Sequence, residues 1–258
     1  MSAPGSARST QSAHHRRSSA RTAVVWDALR PLLGQDEPLE VLDIGGGTGG
    51  FAVGVAELGH HVVVVDPSPD ALATLARRSA EAGVADRVRG VQGDLATLAD
   101  LAPADGADVV LCHGVLEVVD DPRAALASIH DVLRPGGTLS LLVSQRHAAV
   151  LARAMAGHFR QAHELLDADG TTDAGTIGET TGPRRFTAEE IRSLLAEVGL
   201  GEPTLHAVRV FGDLVPSSLV DLEPGAAAAL ASLEQAVSTR PEYLALATQV
   251  HALARRGD

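Results

Sequence analysis

Between Val41 and Gly50 the chain reads V-L-D-I-G-G-G-T-G-G, and this stretch restricts the fold more than any other. Apolar residues run into an acid, Asp43, and then into a turn holding Gly45, Gly46, Gly47, Gly49 and Gly50; a helix-compatible run, 51–58, follows. Strand, glycine turn and helix in that order are how an α/β sheet offers backbone N–H groups to a nucleotide-like ligand. Glycine suits the turn because a Cβ would hold the ligand off the backbone or forbid the required dihedrals.

The pattern around this turn alternates. Apolar strand-like runs occupy 40–44, 61–66, 88–91, 108–112 and 138–143. Helical spacing fills 21–33, the stretch from Pro67-Ser-Pro-Asp70 to about 82, and 122–133, which stops at Arg134-Pro135-Gly136-Gly137. Such alternation predicts a doubly wound α/β fold with a parallel sheet and right-handed crossovers, its ligand site lying beyond the strand carboxyl ends next to the first strand. The rhythm breaks after strand five. A helical stretch over 148–166 precedes 167–182, rich in Asp, Gly and Thr, which is expected to be a flexible loop. Regular structure resumes at Thr187-Ala-Glu-Glu190, a capping box. A strand is expected over 205–211 and a helix over 226–237, while 244–254 fits a strand or a helix. The domain reading is a disordered tail over 1–20 and one domain over 21–258, with 144–200 as a cap or substrate insertion.

Charge and cysteine content narrow the function classes. The net charge is −12, and all 21 basic residues are Arg. The first twenty residues hold Arg8, Arg16 and Arg17 and no acid, so the remainder carries −15. A body that acidic is a poor general nucleic-acid binder, because phosphate attraction supplies most non-specific affinity. The single cysteine, Cys112, excludes a disulfide framework and a cysteine metal cluster; no metal is expected. No apolar run has membrane-spanning length and the N-terminus lacks a secretion signal's apolar core, so a cytoplasmic protein without membrane contact is expected.

Gly45, Gly47 and Gly50 satisfy G-x-G-x-x-G, which alone is a weak dinucleotide signature. Three acids bear on the choice of ligand. Asp43, two positions before the first glycine, would face a pyrophosphate unfavourably but suits a ligand carrying an ammonium and a sulfonium. Asp66 ends strand two, where a carboxylate can accept both ribose hydroxyls. Asp94, in Gly93-Asp94-Leu95, can accept adenine amino hydrogens while Leu95 packs on the ring. Any one acid is as readily a helix cap or a solvated loop end. Three at successive strand ends, with no Arg among them, describe a cationic nucleoside better than a polyanionic one.

D-x-G-x-G, the strand-two acid, G-D-L and R-P-G-G together resemble a class I S-adenosylmethionine-dependent methyltransferase, which implies a Rossmann-like, mostly parallel seven-stranded sheet and S-adenosyl-L-methionine as cofactor. Cys112-His113-Gly114-Val115-Leu116-Glu117 followed by Asp121-Pro122-Arg123 is similar to the F-H-A-V-L-E-W…D-P-R stretch of the tRNA 5-carboxymethoxyuridine methyltransferases, which esterify the carboxylate of a modified wobble uridine. Further matches are Arg21-x-Ala23-x-x-Trp26, His147, Ala156-Gly157-x-Phe159, Pro183-Arg184, Val208-Arg209-Val210-Phe211 and the stretch from Tyr243 to Arg255.

The resemblance implies that Arg21 binds the methionine carboxylate, Gly45 and Gly46 the methionine end, Asp66 the ribose, and Asp94 with Leu95 the adenine, with His113 beside the cofactor; Asp43 and Gly47 join the cofactor-binding set from the reading of the turn itself. A carboxylate acceptor needs a cation to position it rather than a general base; Arg184 and Arg209, with His147 nearby, are the candidates. For a hydroxyl or amine acceptor, His113 or His147 would be the base. Trp26 reads as core, while Phe159 and Phe211 fit a core or a base-stacking platform equally.

One departure bears on the acceptor. The family carries a basic run in the loop after its post-strand-five helix, whereas this chain has Asp167-Ala-Asp-Gly-Thr-Thr-Asp173, and basic character returns only at Arg184 and Arg185. A tRNA carboxylate and a small-molecule O- or N-acceptor therefore both stay open, with a dinucleotide-dependent oxidoreductase as the remote alternative.

Overall fold

The computed structural model describes residues 22–166 and 183–257. Helix α1 (22–33) leads into β1 (Glu40–Ile44), α2 (Ala52–Glu57), β2 (His61–Asp66), α3 (Pro69–Glu81), β3 (Val88–Gln92), α4 (Leu98–Leu101), β4 (Ala107–His113), α5 (Pro122–Val132) and β5 (Leu133–Ser144). Then come α6 (Arg146–Met155), α7 (Phe159–Leu166), α8 (Ala188–Glu197), β6 (Thr204–Val208), α9 (Ser217–Leu222), α10 (Ala226–Val237), α11 (Pro241–Leu244) and β7 (Gln249–Arg255). The seven strands form one sheet in the order β3-β2-β1-β4-β5-β7-β6, parallel except for β7, which runs antiparallel to both neighbours. Strand order reverses between β1 and β4, which opens a crevice at the carboxyl end of β1.

Alternation along the strands builds a core on each face. Leu42, Ile44, Val110 and Cys112 pack with α5 and α8 through Leu126, Ile129, Ile191 and Leu195. On the other face Val41, Val62, Val64, Val109 and Leu111 pack with α1 and α2 through Val25, Leu29 and Val55. Burial on both faces is why these strands read as continuous apolar runs. The capping box forms: Thr187 Oγ1 accepts from Glu190 N while Glu190 Oε2 accepts from Thr187 N.

Four elements depart from the pattern read in the sequence. Strand β5 begins at Leu133, not Thr138, because Leu133 already pairs with Ala107; the register then shifts across the Pro-Gly-Gly turn, and Thr138 pairs with Val109. The expected helix over 148–166 is two helices, broken where Gly157 takes φ 80°. Strand β6 stops at Val208 because Arg209 adopts φ 61°, and the next three N–H groups, of Val210, Phe211 and Gly212, donate to the buried carboxylate of Glu234. The open stretch 244–254 resolves into a strand, held by seven register pairs to β5 and five to β6. The tail over 1–20 and the expected loop over 167–182 lie outside the described residues.

Candidate active site

The glycine turn leaves β1 at the crevice. Gly45 N donates to Val65 O at 2.8 Å, which ties the turn to β2, and Gly45 takes φ 66°. A Cβ there would stand 2.5 Å from Val115 Cγ2, so the loop after β4 lies directly against the turn. At Gly46 a Cβ would stand 2.6 Å from Asp43 Cγ and 2.9 Å from Val64 Cγ1. The turn is therefore folded down over Asp43. Gly46→Ala is expected to displace it, an overpacking effect of about 1–3 kcal/mol. Calorimetry should record a melting temperature several degrees lower and weakened S-adenosylhomocysteine binding.

Asp43 is buried, and its Oδ2 has no hydrogen-bond partner among the described residues. Burial, and then the neighbouring charge of Asp66, raises its carboxyl to about 7. An orphaned buried acid is unfavourable unless a cation completes it. Asp66 is differently placed. Its Oδ2 accepts Gly47 N at 2.9 Å and its Oδ1 accepts Ser68 N at 2.9 Å, so one carboxylate fixes both the glycine turn and the entry to α3. Each oxygen keeps a further acceptor site. Arg78 of α3 braces the turn from behind, donating to Thr48 O at 2.9 Å. Asp94 is exposed, and its Oδ1 accepts Ala96 N and Thr97 N; Leu95 is partly buried against the Leu42 side of the core. The three acids thus lie at or just beyond the carboxyl ends of three adjacent strands. Arg21 lies outside the described residues.

Beyond β4, His113 is half-buried and burial pushes its imidazole down to about 4. Its ring stands edge-on to Phe51 at 4.7 Å, and Phe51 stacks on Trp26 at 5.0 Å, which joins α1, the glycine turn and β4 through three rings. Phe51 was invisible as a site residue in the sequence because it read simply as the first residue of a helix. Trp26 is partly buried and packs against the core, Phe211 packs on Tyr243 at 5.9 Å, and Phe159 is 71 % exposed.

The acceptor-side candidates do not converge as the sequence suggested. Arg184 is buried, and its guanidinium donates to the carbonyls of Val119 and Asp120, which holds the loop after β4. Arg209 pairs with Asp213 at the far edge of the sheet, three strands from β4. Sequence shows the charge of both but neither the backbone carbonyls that Arg184 holds nor the carboxylate that Arg209 pairs with. His147 is exposed in the first turn of α6. Glu117, buried, accepts Ser144 N on Oε1 at 2.8 Å and leaves Oε2 without a hydrogen bond among the described residues. Half-buried Arg185 senses the charges of both Glu117 and Arg153, and burial and Arg153 together lower its pKa. That pair of arginines was not distinguished in the sequence. Among the described residues no group of His, Cys, Asp and Glu could hold a metal ion, and no helix is long and apolar enough to cross a membrane.

A dinucleotide-binding sheet runs 3-2-1-4-5-6, and the antiparallel β7 between β5 and β6 departs from it. Residues 13–201 match the family model described as a methyltransferase domain. The chain belongs to the S-adenosylmethionine-dependent methyltransferases. This methyltransferase is 31% identical over 239 residues to the tRNA 5-carboxymethoxyuridine methyltransferase of Escherichia coli O157:H7, covering 92% of this chain and 88% of the relative. Similarity to the ubiquinone biosynthesis O-methyltransferase of Xanthomonas axonopodis pv. citri is 36% over 119 residues, 45% of this chain and 48% of that one. Among solved structures, an S-adenosylmethionine dependent methyltransferase from Mesorhizobium loti superposes with a TM-score of 0.59 at 21% identity, covering 92% of this chain and 100% of that one. The orphaned Asp43 and the glycine cradle above it fit S-adenosyl-L-methionine, the cofactor of this methyltransferase.

Proposed function

We propose that this methyltransferase esterifies a carboxylate, the acceptor being 5-carboxymethoxyuridine in tRNA. The observation carrying the reading is similarity to an enzyme named for that activity along 92% of this chain and 88% of that enzyme. In this reading Asp43, Gly45, Gly46, Gly47, Asp66, Asp94, Leu95 and His113 hold the cofactor, with Arg21 on its carboxylate, and residues 144–200 supply the acceptor side. When bound, the cofactor supplies an electrophilic methyl group on a sulfonium. The chain's own contribution is to hold the acceptor in line and exclude water. An ionised carboxylate needs no base, which agrees with a His113 kept neutral by burial.

Positioning requires a cation, and half-buried Arg185, which senses the charges of Arg153 and Glu117 and whose guanidinium donates to Pro183 O at 3.3 Å, suits it better than Arg184, which holds two carbonyls, or Arg209, paired with Asp213 at the far edge. Losing one charge-assisted hydrogen bond is worth about 1.5–3 kcal/mol. Arg185→Met is therefore expected to raise KM for the acceptor roughly tenfold or more and to leave the Kd for S-adenosylhomocysteine unchanged. Isothermal titration and initial rates separate the two; a loss confined to cofactor binding would sink the assignment.

A second reading, a small carboxylic acid as acceptor, is favoured by the −15 carried by residues 21–258 and by the acidic 167–173 segment. Mass spectrometry of nucleosides from tRNA bearing 5-carboxymethoxyuridine, incubated with protein and cofactor, decides between them. A methyl ester on that nucleoside is expected. Unchanged nucleosides, with cofactor turnover on free carboxylic acids, would favour the second reading.

A further inference from the structure

Four polar side chains share one face of the sheet, and three of them have no part in that reading. Register assembles them: His113 of β4 pairs with Leu142, Leu142 with His251 of β7, and His251 with His206 of β6. Ser140 of β5 lies two residues before Leu142 and so on the same face. Its Oγ is 2.8 Å from His113 Nε2 and 2.8 Å from His251 Nε2, and the His206 and His251 rings lie 5.2 Å apart. Ser140 and His251 are fully buried. Burial lowers the pKa of all three imidazoles, so each ring carries a single N–H near neutral pH.

A hydroxyl has one proton, so Ser140 donates to one Nε2 and accepts an N–H from the other. If His113 supplied that N–H, the proton left over would sit on Nδ1 of His251. If His251 supplied it, the proton left over would sit on Nδ1 of His113. Both Nδ1 atoms are buried and unpartnered among the described residues. His251 is 0 % exposed, in the strand between β5 and β6, so an N–H on its Nδ1 would be an orphaned buried donor, and such groups are rare. His113 ends β4, stands against Phe51 of the glycine turn, and lies two residues before Val115, which abuts Gly45. His113 is also only partly buried, whereas His251 is fully so, and a ligand seated in the crevice would supply the acceptor that its N–H lacks.

We propose that His251 and Ser140 are positioning residues that fix His113 as an Nδ1–H donor toward an oxygen acceptor of the bound cofactor. The inference rests on the reading of the glycine turn as the cofactor site. Long-range proton–nitrogen NMR of the full chain with 15N-labelled histidine, recorded with and without S-adenosylhomocysteine, tests it. The His113 signal is assigned by its loss in His113→Gln. The expected result is an Nδ1–H tautomer whose Nδ1 shift moves on addition of the ligand. Ser140→Ala is expected to mix the tautomers and raise the Kd about tenfold, and Ser140→Thr, which keeps the hydroxyl, to restore both. An Nε2–H His113 in a protein that binds the ligand overturns the inference alone, as does unchanged binding and tautomer in Ser140→Ala. Failure of the unsubstituted chain to bind the ligand overturns the cofactor reading and the inference with it. Should Ser140→Ala not fold, the tautomer of the unsubstituted protein decides.

Discussion

Asp43→Asn is expected to steady the ligand-free protein above neutral pH and at the same time to remove most of its affinity for cofactor. The folded-state pKa of Asp43 is raised from 3.8 to about 7, first by burial and then by Asp66. Between those values the folded state holds a proton that the unfolded chain has released, so stability falls as pH rises from about 4 to 7 and levels off above. At about 1.4 kcal/mol per unit, the loss amounts to a few kcal/mol by pH 8. Asparagine is neutral throughout, so this part of the pH slope disappears. Thermal unfolding of both proteins from pH 4 to 8 measures the difference; parallel curves would refute the burial argument. Binding should move the other way. A buried carboxylate facing a cationic ligand couples to it by about 2–5 kcal/mol, so Asn is expected to raise the Kd for the cofactor thirtyfold or more. The ligand-free protein thus carries a destabilised acid that its ligand relieves.

Asp66→Ala should act on binding and on the turn together. Removing the carboxylate leaves Gly47 N and Ser68 N without their acceptor, and hydrogen bonds to a charged group contribute about 1.5–3 kcal/mol each. The glycine turn loses its tie to β2 at that point, and in the proposed cofactor site the ribose would lose its acceptor. A fall in cofactor affinity of at least a hundredfold is expected, together with a lower melting temperature. Asp66→Asn, which keeps one acceptor oxygen, should fall between. Equal binding by Asp66→Ala and the unsubstituted protein would remove Asp66 from the site.

Much of the scaffold was legible in the sequence because its signals are local. β1 and β2 fall on the residues their apolar runs define, Thr187 and Glu190 form the capping box, and helix 226–237 is where its apolar spacing put it. What sequence could not show was pairing. The segment that became β7 is rich in Ala and Leu, and only its two neighbours made it a strand. Gly157 and Arg209 interrupt elements through backbone conformations that composition does not announce. The same division holds for the site. Asp43, Asp66 and Asp94 stand out because motif spacing puts them at strand ends. Arg184 and Arg209 stand out in the sequence by charge, which does not show that the first holds two backbone carbonyls and the second a neighbouring acid. His251 and Ser140 are 111 residues apart, and nothing short of the register brings them together.

The placing of β7 also orders events during synthesis. Strands β3, β2, β1, β4 and β5 can pair as each emerges, because every new strand finds its neighbour already made. β6 cannot, since among the described residues its partner in the sheet is β7 alone, which is translated later. Until residues 249–255 leave the ribosome, the β5 edge and both edges of β6 stand open, and open edges invite association with other chains. The Ser140–His251 contact forms at that same moment. A nascent chain could therefore complete its glycine turn early, yet acquire its finished His113 only when the last strand slides into the gap.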